Sequence, residues 1–214
     1  MKFENAYKGV SKLLTAEVMI LISGIVTVVS TVVTLVLAMA NLGDAAAVLL
    51  LVTGVLVAAT AVLGVIAFIL NLVGLIQARK DEASFMAALV VTLIGIAASA
   101  CMGIFSQNTL VSGLLNVVFT VAQLATTLFV IQGIMKLANR LGNAAMVQKG
   151  NTMFKLILTV QLVAIIASFI SVVFKNNSAM LIIAGVLSIA GAVVNIVAYF
   201  LYLSYLAKAK KMLA

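Results

Sequence analysis

Residues 45–78 run for 34 positions without a charged side chain, and residues 83–135 form a second, longer run of the same kind. A bilayer core is crossed by about 20 apolar residues in a helix. Each run therefore exceeds one crossing, and the only structures that satisfy every backbone group in lipid are helices and closed barrels. The chain therefore reads as an all-α integral membrane protein. Composition agrees, with 65% hydrophobic and 8% charged residues and no Pro, Trp or His. The first apolar run ends in Ala38-Met39-Ala40, which resembles a signal-peptide cleavage site. It is longer than the usual ~7 to 15 apolar residues of such a peptide and rich in threonine, so it reads as a membrane span.

Polar and charged breaks divide the chain into six predicted helices at about 12–41, 45–78, 84–105, 110–136, 152–174 and 179–207. Turns fall at Asn41-Leu42-Gly43-Asp44, at Ser106-Gln107-Asn108-Thr109 and at Lys175-Asn176-Asn177-Ser178. The expected fold is one transmembrane domain, a six-helix bundle made as three helical hairpins. Residues 1–14 read as the wet first turns of the first helix or as an interfacial helix. An even number of spans puts both termini on one side, together with twelve of the thirteen Lys and Arg; Lys175 alone lies opposite. Positive charge is retained on the cytoplasmic side. Both termini are therefore expected in the cytoplasm, with the plasma membrane as the expected location. Topology accounts for the net charge of +8, with some attraction to anionic membrane lipids. No nucleic-acid partner is expected.

At about 100° per residue, Glu17, Ser23, Gly24, Thr27, Ser30, Thr31 and Thr34 fall within an arc of about 140°. Such a face is expected to turn toward other helices rather than lipid. The fourth span carries a second stripe, with Asn116 and Gln123 among Ser112, Thr120 and Thr127. Gln161 and Asn195 supply amides on the fifth and sixth. Glu17, Asn116, Gln123, Gln161 and Asn195 together form a candidate intramembrane polar site. Glu17 is the one acid placed to enter the hydrocarbon, where an ionisable group marks a proton or cation site. It lies only ~7.5 Å beyond Lys12 along the helix, so pairing with a lysine such as Lys155 is the preferred structural reading. Gly95, Ser99 and Gly103 have the small-residue spacing of a helix-packing seam. Cys101 reads as inert packing.

Aligning Gly54, Gly113 and Gly185 brings Gly64, Gln123 and Asn195 into register, and Glu17 with Gln161 and Ile94 in the odd helices. This suggests an internal triplication of one hairpin. The first hairpin is overlong, because 34 helical residues extend ~51 Å against ~30 Å of hydrocarbon. It is expected either to project as an apolar finger or to exclude part of residues 45–52 from the span.

No histidine is present, four of the five acids lie in tails or turns, and no phosphate or dinucleotide loop appears. Nucleophile and base pairs of the usual kind cannot be written, so no enzyme activity and no cofactor or metal are expected. Two readings remain. The preferred one is a scaffold or accessory subunit that packs with copies of itself or with other membrane protein subunits. The alternative is a small passive channel or carrier using the polar stripes of helices 1, 4, 5 and 6.

Overall fold

The computed structural model describes residues 2–40, 44–174 and 178–214, without the side chains of 35–40, 44–50, 168, 171, 172, 178, 179, 181, 188 and 189. Helix α1 spans Glu4–Ala40, α2 Asp44–Ala78, α3 Ser84–Ile104, α4 Thr109–Arg140, α5 Ala144–Val173 and α6 Ser178–Leu213. All six contain a stretch long and apolar enough to cross a membrane, the architecture of an integral membrane protein. Consecutive helices pack as neighbours, and α1 returns against α6, so that the six close into a ring in chain order, with α4 also touching α6. The turns at 41–43 and 175–177, and Lys175 with them, lie outside the described residues.

Helix ends differ from the hydropathy reading where capping, rather than charge, stops the helix. α1 begins at Glu4 and is continuous into its span, so residues 4–14 are the first turns of that helix. α4 runs past Lys136 to Arg140, and the chain then reverses at Gly142, whose φ of 69° suits glycine. The Asn143 side chain accepts the Met146 amide at 3.1 Å and starts α5 eight residues earlier than 152. At the other side of the bundle Asn108 caps α4 through the Val111 amide at 3.2 Å. α6 continues through the lysine-bearing tail to Leu213.

The packed core lies toward one end, where α1, α3 and α5 start and α2, α4 and α6 finish. Phe85, Leu75, Ile131, Ile134, Leu137 and Leu206 are fully buried there. Gly9 and Gly74 let α1 and α2 touch: a methyl on Gly9 would stand 2.5 Å from the Gly74 carbonyl oxygen. Gly133 receives the Phe85 ring in the same way, since a methyl at that position would come within 2.8 Å of it. Most of the basic residues lie at this end too, which makes it the basic end of the bundle.

The α2–α3 turn clasps the basic end through two carboxylates. Asp81 accepts the Ala6 amide at 2.6 Å and the Asn5 side-chain amide at 3.1 Å, so it caps α1 from another helix pair. Glu82 is 4% exposed and pairs with Arg140 at 2.7 Å and Lys136 at 3.4 Å, both on α4. Lys136 also donates to Ser84 Oγ at 3.0 Å, and Arg140 to the Asp81 carbonyl at 3.1 Å. This single turn thereby ties the start of α1 to the end of α4.

Candidate functional site: a polar chamber around Glu17

One face of α1 shows where the packing stops. Ala6, Val10, Leu13, Glu17, Gly24, Val28 and Thr31 lie within about 60° of each other around the helix. Ala6, Val10 and Leu13 are at most 2% exposed, whereas Gly24, Val28 and Thr31 are exposed, Val28 at 64%. Glu17 sits at the change. α4 repeats the pattern: Leu137, Ile134 and Val130 are buried, and Gln123 and Asn116 farther along the same face are exposed. On α6, Leu213, Leu206 and Tyr202 are buried below an exposed Asn195.

Above the core two adjoining cavities share Glu17, Gln123, Thr127 and Tyr199. The larger, of about 420 Å³, is bounded by α1, α2, α3, α4 and α6, with Asn71, Phe68 and Phe119 on its wall. The smaller, of about 110 Å³, reaches α5 through Gln161 and Ile157. All six helices thus contribute to one chamber.

Glu17 is held by a phenol. The Tyr199 hydroxyl lies 2.9 Å from Glu17 Oε2 and 2.8 Å from the Glu17 main-chain carbonyl oxygen, so its proton serves two acceptors. Among the described residues no lysine or arginine forms an ion pair with Glu17, and the Lys155 partnership suggested by sequence is replaced by this α1–α6 hydrogen bond. Tyr199, Tyr202 and Tyr205 recur every three residues down α6, and the last two are buried in the core. Only their spacing in the sequence hints that α6 turns one side toward Glu17.

The other sequence candidates separate into two groups. Gln161 donates to Asn195 Oδ1 at 3.3 Å, and both border the smaller cavity, while Gln123 borders both cavities. Asn116 stands exposed farther from the core and lines neither cavity. The threonines of α1 do not seek other helices: Thr27 and Thr31 donate to the carbonyls of Ser23 and Thr27, each at 2.9 Å, and remain exposed. Ser30 of the same arc is buried. Of the small-residue seam, Gly95 packs on α4, with a methyl there 3.2 Å from Ala122 Cβ, whereas Ser99 and Gly103 are exposed. The tightest backbone approach is Gly9 on Gly74, a contact without a signal in the sequence because Gly9 lies among lysines. Gly64, Gln123 and Asn195, equated by the repeat alignment, all border the chamber; Ile94, equated with Glu17, is exposed and does not.

Chemically, the chamber offers one carboxylate, a phenol, several amides and hydroxyls, and apolar walls. Thr92 and Thr126 add a hydroxyl pair at 3.1 Å between α3 and α4. Among the described residues no three of His, Cys, Asp and Glu gather in one place. These groups can hold and orient a small molecule by hydrogen bonds and charge. No family model, no curated protein and no solved structure matches the chain.

Proposed function

We propose that this protein is a small-solute channel or carrier that holds its solute in the chamber around Glu17, closed toward the basic end. The observation that supports this most is the change along single helix faces from fully buried to exposed at the level of Glu17. Helices that associate in lipid gain by close packing and by hydrogen bonds between them. A bundle made only to pack has no use for a void of about 420 Å³ bordered by a carboxylate, amides and hydroxyls. That volume falls within the range of small-molecule sites, ~300 to 1,000 Å³.

The scaffold reading keeps one observation in its favour. α2 has 35 residues and α3 21, so the first hairpin runs about 20 Å farther than α3 and presents exposed Leu51 and Val55 on that extension. A partner helix could cover it. With the basic end in the cytoplasm, as the charge distribution favours, the chamber would open to the outside.

Reconstitution in lipid vesicles separates the two readings. Stopped-flow light scattering under gradients of urea, glycerol or methylammonium chloride should show at least one solute equilibrating faster than in protein-free vesicles. Gln123→Trp, which fills the chamber, should remove the increase. If no solute crosses faster than through bare lipid while another membrane protein co-purifies in fixed ratio, the scaffold reading replaces this one.

A further inference from the structure

We infer that the chamber takes a monovalent organic cation, an ammonium group carrying an apolar body. This rests on the chamber reading above and narrows it to a ligand class. Among the described residues, Glu17 is the one charged group that borders the chamber. Its Oε2 accepts from Tyr199, and its Oε1 accepts no hydrogen bond from the described residues. In a carboxylate that lines a cavity, such an oxygen is left to a partner within the cavity.

An ammonium group supplies that partner, because it has three donors and no acceptor. It also neutralises a carboxylate in surroundings where isolated charge is costly. The remaining wall selects against a bare metal ion. A hard cation is held by about six to eight oxygens at ~2.3 to 2.6 Å, whereas here the oxygens are spread around a space of about 420 Å³. Ile20, Phe68, Ile96 and Phe119 occupy much of the same wall. They offer nothing to a hydrated ion, yet they fit a hydrocarbon body, and aromatic faces attract cations. An anion would meet Glu17 as a like charge.

The test uses the full chain in lipid nanodiscs, with empty nanodiscs as the blank, and three probes of one shape: benzylammonium, benzyl alcohol and benzoate. Saturation-transfer NMR should detect benzylammonium, with benzyl alcohol about tenfold weaker or worse and benzoate absent. Glu17→Gln should weaken benzylammonium by about tenfold or more, and Glu17→Asp should retain most of the binding. Should Glu17→Gln fail to give a monodisperse helical protein, the amine-to-alcohol ratio of the unaltered chain decides by itself. Equal binding of amine and alcohol overturns the cation inference alone, as does unchanged amine binding in folded Glu17→Gln. Absence of amine binding, with urea or glycerol flux intact, does the same. Failure of every probe together with failure of every flux removes the chamber reading beneath it.

Discussion

The two halves of this bundle are made from the same six helices and much the same apolar residues, yet they are packed differently. Toward the basic end, glycines bring α1 onto α2 and seat Phe85 against α4, while two carboxylates in the α2–α3 turn lock α1 to α4. Beyond Glu17 the same helix faces are lined by Gly24, Thr31 and Asn116, and each stands exposed. Charged residues gather at the packed end, so hydropathy alone would not place the tighter packing there. What differs is the fit of side chains across the ring, since in lipid close contact rather than exclusion of water holds helices together. Among the described residues these faces are close-packed toward the basic end and exposed beyond Glu17.

Substitutions of equal chemistry in the two halves should therefore have unequal effects. Phe85→Ala, at a fully buried ring, should lower stability by about 3 to 5 kcal/mol. Phe169→Ala, on an exposed ring of α5, should change it by less than about 0.5 kcal/mol. Thermal unfolding in one detergent compares them directly, and equal losses would erase the distinction between halves. Replacing both Lys136 and Arg140 by Ala strands the buried Glu82 carboxylate, and a loss of about 2 to 3 kcal/mol is expected. The same replacement at Lys2 should have no measurable effect.

Glycines sharpen the contrast within a single helix. Gly9→Ala forces a methyl into the Gly74 carbonyl and should cost about 2 kcal/mol. Gly24→Ala meets open space and should be neutral or stabilising by up to about 0.8 kcal/mol through helix propensity. Tyr199→Phe removes the donor to Glu17, with an expected loss of about 1 kcal/mol. A loss as large as that of Phe85→Ala would mean that Tyr199 anchors the core rather than the chamber.

The architecture is written openly in the chain, because charge-free runs of this length have so few structural solutions. The six helices and the turn at 106–108 follow from where polar residues collect, whereas the sequence reads as a basic segment between 136 and 152 where the structure has a tight turn at 141–143. Their ends do not, because Lys136 and Arg140 extend α4 into water as readily as leucine would, and Gly142 and Asn143 make the actual stop and start. Glu17, Gln123, Gln161 and Asn195 stand out in sequence as polar residues in apolar helices, and they border one chamber. Asn116 stands out equally and lies outside it. Periodicity assigns a residue to a face but not to a height in the bundle at which that face is covered. Tyr199 is hidden for a related reason: its partner is 182 residues away in sequence, and nothing local records the return of α6 to α1. The exposed threonines of α1 show a further limit, since a hydroxyl in a helix can be satisfied by its own backbone.

The proposed chamber requires inner helix faces that are sealed below Glu17 and open to water above it. Cysteine accessibility tests it most directly. With Cys101 replaced by Ala, single cysteines at Val10, Val130, Thr31 and Asn116 are exposed to a membrane-impermeant thiosulfonate applied from the side opposite the basic end. The reagent attacks the thiolate, which forms in water and not in lipid or a packed core. Thr31→Cys and Asn116→Cys should label rapidly, and Val10→Cys and Val130→Cys not at all. Unreactive cysteines at 31 and 116 would place those faces in lipid or in a closed core, and would contradict the proposed chamber.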